Sequence, residues 1–255
     1  MPFYVKYLKP NFMKTKRIFF FLLIISMFTS LSGLVAGCNL VGVRGNGDVK
    51  KESRKISSFN GIEVSGAFKV YLKQGSTEEL VVETDENILP LVQTEVNGST
   101  LKIETRKPIS HVSTLKVYIT FKDLNKLDLS GAVDVISEGM LNIPELNFDA
   151  SGASDTKLDL TIRKLHIDCS GASKIRLNGT AGDVEMDLSG ASDILAFDLV
   201  AETYDIEISG AGEAQINVTK KIAAEISGAG TVKYKGSPSE IDQNVSGAGS
   251  IKKVP

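Results

Sequence analysis

Apolar and polar residues alternate along most of this chain in short runs, and each run breaks at the same three residues, Ser-Gly-Ala. One position before the serine stand Val64, Leu129, Ala150, Cys169, Leu188, Ile208, Ile226 and Val245. Three before it stand Ile62, Leu127, Phe148, Ile167, Met186, Ile206, Ala224 and Gln243. Five before it, in the later copies, stand Leu146, Leu165, Val184, Tyr204, Ile222 and Ile241. The residues between are mostly polar, and a period of two with one apolar set marks a strand with one buried face. Past the break the alternation resumes. Val135, Thr156, Ile175, Ile194, Ala214, Val232 and Ile251 hold the fifth place after the serine, and Leu158, Leu177 and Ile216 the seventh. Each unit therefore predicts a strand, a tight corner, a second strand and a variable return loop.

The corner serines are Ser65, Ser130, Ser151, Ser170, Ser189, Ser209, Ser227 and Ser246, and from Ser130 onward the steps are 21, 19, 19, 20, 18 and 19 residues. A fixed turn at a period near 19 predicts an all-β, single-stranded parallel β-helix, in which each repeat is one coil stacked on the last. Crossover preference leads us to expect a right-handed coil. The structural turns are expected at Gly66, Gly131, Gly152, Gly171, Gly190, Gly210, Gly228 and Gly247, each with positive φ. Alanine is expected to fill the cramped inside of the corner, and the serine hydroxyl to bond nearby backbone or its neighbour one coil away. The calcium-binding pattern Gly-Gly-x-Gly-x-Asp is absent. Two strands and an uneven loop also do not suit the three equal sides of a hexapeptide helix.

Between Ser65 and Ser130 the period breaks. Phe68–Leu72, Leu80–Glu83, Gln93–Val96, Thr100–Thr105 and Leu115–Phe121 alternate like strands, Asn97-Gly98 signals a hairpin, and Asp85–Leu91 suits one helical turn. The gap is three coil lengths and predicts irregular coils capping the stack. At the far end, Lys252, Lys253 and Pro255 would blunt an open strand edge.

The chain begins with a different pattern. Lys14, Lys16 and Arg17 precede an apolar run from Ile18 to Phe28, followed by Leu34-Val35-Ala36-Gly37-Cys38. A basic start, an apolar middle and small residues before a cut make an export signal over residues 1–37, with Met13 as an alternative start. Cysteine after Val-Ala-Gly resembles the bacterial lipobox, which implies lipidation of Cys38 and a membrane partner. An uncleaved anchor is the competing reading, since Ile18 to Gly37 is nearly long enough to span. Removing the signal takes five of 29 basic residues and none of the 31 acidic ones, leaving 24 against 31, a net charge of −7. That argues against nucleic acid as a partner. Cys169 is then the one remaining thiol, at an inward position, so no internal disulfide is possible. Residues 38–55 suggest a flexible tether, and 56–255 the solenoid domain.

The stretch Phe59-Asn60-Gly61-Ile62-Glu63-Val64-Ser65-Gly66-Ala67-Phe68-Lys69-Val70, with the serial Ser-Gly-Ala corners, resembles the head GIN domain family of auto-transporter adhesins. The resemblance spans about Ile56 to Lys253. It implies a β-helix similar to pectin-lyase-like solenoids, exported or lipid-anchored, with adhesion as the proposed role and no recognised catalytic set.

Two positions before each serine stand Glu63, Asp128, Asp149, Asp168, Asp187, Glu207 and Glu225, with Asn244 last. Stacked about 4.8 Å apart, such carboxylates repel, raise one another's pKa or attract cations. The candidate metal column is Asp149, Asp168, Asp187 and Glu207; without a carbonyl-bearing loop it is read as a solvated acidic face rather than a calcium site. His166, Asp168 and Ser170 share a face, but about 6.7 Å apart along one strand they lie too far for a relay. His111 is the other histidine. A polysaccharide lyase would need a base such as Arg163, Arg176, Lys157 or Lys174 in a groove, and the chain has no tryptophan to stack sugars. The reading is a non-catalytic exported lipoprotein without cofactor, an adhesion or binding module of the cell envelope, on the outer membrane. Its ligand is a glycan or a protein, and self-association is open. The alternatives are a pectin-lyase-like enzyme and a purely structural envelope protein.

Overall fold

The computed structural model describes residues 42–255, so the signal segment and Cys38 lie outside the described residues. The repeats form a parallel β-solenoid of roughly 19 residues per turn. Its first wall stacks β3 (Gly61–Gly66), β10 (Lys126–Gly131) and the carboxyl-terminal halves of β11 (Asp134–Ala150), β12 (Asp155–Cys169), β13 (Lys174–Leu188), β14 (Asp193–Ile208) and β15 (Glu213–Ile226), ending in β17 (Glu240–Val245). Its second wall stacks β4 (Lys69–Gln74), the amino-terminal halves of β11 to β15, then β16 (Thr231–Gly236) and β18 (Ser250–Lys253). The register follows the repeat: Asp149 pairs with Asp168, Asp168 with Asp187 and Asp187 with Glu207.

The inward set is where the alternation puts it. Leu129, Phe148, Ile167, Met186, Ile206 and Ile226 are buried, as are Ile175, Ile194 and Val232 on the second wall. The exceptions lie in β17, the last strand of the first wall among the described residues, where Ile241 and Val245 are exposed.

At the corner the structure corrects the expectation. Gly66, Gly131 and Gly247 have positive φ, but Gly152, Gly171, Gly190, Gly210 and Gly228 do not. Glycine is needed at these five for space. A Cβ on Gly190 would sit 2.0 Å from the Gly171 carbonyl oxygen, and one on Gly171 would sit 1.9 Å from that of Gly152. That oxygen is engaged: the Ala191 N–H donates to Gly171 O at 3.0 Å, and Ala172 N–H to Gly152 O at 2.9 Å. The neighbouring positions do the same. Ser189 N–H donates to Cys169 O at 2.9 Å and Asp193 N–H to Ser173 O at 2.8 Å. The parallel ladder thus runs through the corner. The corner alanines Ala153, Ala172, Ala191, Ala211 and Ala229 are exposed rather than inside. The next residue turns inward, and in the middle coils it is a buried serine. Ser154 and Ser173 share a hydroxyl–hydroxyl bond of 2.9 Å, and Ser173 N–H donates to the Ser192 hydroxyl at 3.2 Å.

The return is also not a loop. β11 to β15 continue through it as unbroken strands of 14 to 17 residues. Positive φ appears here, at Gly139, Gly179 and Gly236, where the chain folds back.

The amino-terminal third is a cap. β7 (Thr100–Thr105) stacks parallel under β3, and β9 (Leu115–Phe121) under β4, as irregular coils would. The rest departs from coils: β6 (Val92–Asn97) forms an antiparallel hairpin with β7, and β5 (Glu79–Asp85) runs antiparallel to β9. A 3-10 turn at Leu89–Leu91 fills the expected helical turn. Residues 42–54, expected within a flexible tether, instead contribute two strands to the cap. β1 (Val43–Arg44) pairs with β8 (Ile109–His111), and β2 (Val49–Arg54) with β5. Buried Asp85 holds this arm by accepting the N–H groups of Gly47 at 3.2 Å and Ser113 at 3.4 Å. Burial alone would raise its carboxyl pKa; those donors outweigh it and hold it below the ordinary value. The pattern missed this because β2 is a charged edge strand, Lys50-Lys51-Glu52, without an apolar face.

The register is tested by neighbouring positions. Ile206 is fully buried and Asp205 exposed. Ile206→Asp places an unpaired carboxylate inside, at a cost of several kcal/mol against a domain margin of about 5–15 kcal/mol. Thermal melts are expected to show a large loss for Ile206→Asp and almost none for Asp205→Ala; equal melting temperatures would contradict the register.

Candidate functional site

Two outer features concentrate polar groups. The first is the acidic column. Because the coils stack in register, Glu63, Asp128, Asp149, Asp168, Asp187, Glu207 and Glu225 fall in one outward line, with Asn244 last. A second line runs beside it: Asn147, His166, Glu185 and Asp205. Partial burial raises the Asp149 carboxyl pKa, and neighbouring Asp128 and Asp168 add to the rise. Partial burial likewise raises that of Asp187; His166 opposes this, while Glu185, Asp168 and Asp205 reinforce it.

His166 turns to the next coil. Its Nδ1 lies 3.6 Å from Glu185 and its Nε2 3.9 Å from Asp187. One ligating atom from each of these three residues falls within 4.8 Å of the others, a set able to touch one divalent ion from the solvent side. The imidazole thus meets carboxylates across the coil boundary rather than Ser170 along its own strand. His111 lies in β8 of the cap, on a different strand from His166 in β12. The candidate bases do not gather on this column. Arg163 pairs with Glu145 at 3.7 Å, and Arg176 pairs with Asp155 on the second wall. Lys157 lies in register with Arg176, and Lys174 with Asp155 and Asp193, on that same second wall. Cys169 is buried, and burial pushes its thiol pKa up to about 12, so it is inert filler.

The second feature was not legible in the repeat. A groove of about 690 Å³ is lined by Asn60, Gln74, Asn125, Asn142 and Asn147, with Leu124, Ile143 and Pro144 and the charged Asp123, Lys126 and Glu145. It exists because the stack is incomplete here. β11 rests on β4 through Asp134–Ser137 and on β10 through Asn147–Ala150. Between these contacts, among the described residues, its lower edge pairs with no strand. Gln74 takes the place of one: its amide accepts from Asn142 N–H at 2.8 Å and donates to Asn142 O at 3.0 Å. Pro144 stands on the same stretch and brings no N–H to it. Asn142 and Asn147 share β11, Asn60 and Asn125 each stand five residues before a corner serine, and Gln74 joins them from the end of β4, so the five amides meet only once the coils are stacked.

The class the geometry defines is a parallel β-solenoid with an apolar interior, polar columns outside and a side notch. The chain belongs to the family described as "Putative auto-transporter adhesin, head GIN domain", which matches residues 58–238. Its structure is similar to that of a putative adhesin from Bacteroides fragilis, 28% identical with a TM-score of 0.79, over 84% of this chain and 100% of that one. A protein from Parabacteroides distasonis described as a putative lipid binding protein is 25% identical, with a TM-score of 0.67 over 84% and 99% of the two chains. A putative adhesin from Parabacteroides merdae, 23% identical with a TM-score of 0.69 over 84% and 99%, shares the fold. No curated protein matches the chain.

The raised carboxyls make a signed prediction. Asp149 and Asp187 protonate more readily folded than unfolded, so their contribution favours folding at low pH and is lost as pH rises through their raised folded values. Asp187→Asn is expected to raise the melting temperature at neutral pH slightly, by about 2 °C, and to shrink the small gain that millimolar calcium gives by screening. A lower melting temperature, or micromolar calcium binding abolished by Asp168→Asn, would contradict the reading of a repelling solvated face.

Proposed function

We propose that this chain is an exported, lipid-anchored adhesion module of the bacterial cell envelope that binds through its outer surface and performs no catalysis. The observation that carries this reading is the division between inside and outside. The interior is filled by apolar side chains from Phe59 to Tyr234, with the one described thiol sealed among them. The polar groups stand outside in columns repeated coil after coil. Repetition of that kind suits many weak contacts with an extended partner rather than one deep substrate site. The family supports adhesion, and the polysaccharide-lyase alternative loses support because Arg163 and Arg176 are spent on separate ion pairs.

Export and anchoring rest on Leu34-Val35-Ala36-Gly37-Cys38, outside the described residues. The lipid on Cys38 holds the protein at the outer membrane. With β1 and β2 folded into the cap, the anchor at Cys38 stands only five residues in sequence from the first described strand, at Val43.

Cells carrying the parent chain are expected to hold it in the membrane fraction with a diacylated Cys38, and to adhere to coated surfaces better than cells lacking it. Cys38→Ser is expected to give an unlipidated precursor or a soluble product and to abolish the adherence. An unmodified Cys38 on the mature parent protein would overturn the anchor. Equal adherence with and without the chain would overturn the adhesion role.

A further inference from the structure

We propose that the amide-lined notch between β4, β10 and β11 is a binding subsite for a neutral glycan. The inference rests on the adhesion reading and supplies its ligand class.

The chemistry of the lining selects the ligand. A groove of about 690 Å³ falls in the size range of small-ligand sites, and short stretches of sugar fit it. Five carboxamides line it, and three of them, on Asn60, Asn125 and Asn142, carry no side-chain hydrogen bond to any described residue. A carboxamide donates and accepts at once, which matches a hydroxyl that also does both. Buried Leu124 and Ile143, with Pro144, give a small apolar floor for the C–H face of a sugar ring.

Charge excludes competing ligands. Of the three charged residues, Lys126 is paired with Asp128 at 3.3 Å and Glu145 with Arg163 at 3.7 Å. Asp123 remains, so the notch is faintly acidic and offers an acidic polysaccharide or a phosphate no free cation of its own. An extended peptide fares no better. A sheet edge captures a peptide by its backbone groups, but Gln74 already occupies both the N–H and the C=O of Asn142, and Pro144 contributes no N–H. Strand addition is therefore blocked at Asn142 and loses a donor at Pro144, the middle of the unpaired edge, while the side-chain amides above it stay open.

Rigidity favours the site. Asn147 N–H donates to Asn125 O at 2.9 Å, and Asn125 N–H to Asn60 O at 2.8 Å, so three of the amides are carried on one hydrogen-bonded backbone stack. Gln74 ties this wall to Asn142 and also donates to Lys122 O at 3.2 Å. Among the described residues no aromatic ring lines the notch, so a single subsite binds weakly and adhesion depends on many copies at the cell surface.

The test uses the full chain, purified in mild detergent, in affinity electrophoresis through gels containing laminarin or mannan as neutral probes. Polygalacturonate and gelatin serve as the acidic and peptide probes. At least one neutral glycan is expected to retard the parent. Asn142→Ala and Asn125→Ala, both at exposed positions, are each expected to weaken that retardation about tenfold with an unchanged melting temperature. No retardation by either neutral glycan overturns the inference. So does retardation that both variants keep, or retardation by polygalacturonate or gelatin that Asn142→Ala removes. Adherence of cells bearing the two variants separates this inference from its premise. Undiminished adherence, set against a loss in cells lacking the chain, sinks the notch alone. Equal adherence in cells lacking the chain sinks the adhesion reading itself.

Discussion

The backbone ladder that passes from coil to coil without stopping at the corner is the interaction on which the rest of this structure depends. In most sheets a turn leaves the ladder. Here Ser189, Ala191 and Asp193 each donate to the coil beneath, to Cys169, Gly171 and Ser173. The carbonyl of Gly171 is brought so close to Gly190 that no side chain fits between them. Glycine at this place lets one coil settle on the next, and every coil then places its inward residues over the same spots. Ile167, Met186 and Ile206 stack because their corners stack.

The same constraint builds the acidic face. Residues two before the corner have no choice but to line up, so Asp149, Asp168, Asp187 and Glu207 stand in a column despite mutual repulsion. Ladder bonds and buried apolar area outweigh that cost. The notch arises from the opposite condition. Sixty-five residues separate Ser65 from Ser130, yet these serines are register neighbours with hydroxyls 2.7 Å apart. The intervening chain goes below to make the cap, and the first return strand above it is left without a full coil to rest on. Regularity gives this protein its repeated faces, and the break in regularity gives it a recess.

The repeat shows how far a sequence can be read. Period-two alternation located both walls, and the serine spacing gave the register, because stacking forces equivalent residues into contact. The reason for glycine was not legible, since crowding by Gly171 is a contact between coils that the spacing does not reveal. The inward residue after the corner alanine was missed because Ser154, Ser173 and Ser192 are polar and satisfy one another only once stacked. Strands β1 and β2 were hidden by a charged edge with no apolar face. The notch was hidden because Asn60, Gln74, Asn125 and Asn142 meet only through the folding of the cap. Cys38 lies outside the described residues, and the proposed lipid anchor is read from Val35-Ala36-Gly37-Cys38.

Amide hydrogen exchange at the corners tests the central claim most directly. If the ladder runs through Ser-Gly-Ala, the amides of Ala172, Ala191 and Ala211 exchange as slowly as those of Ile167, Met186 and Ile206, by global unfolding alone. Exchange at those alanines as fast as in an exposed loop, while the strand amides stay protected, would show that the corners are ordinary turns and that the stack is held by the walls alone.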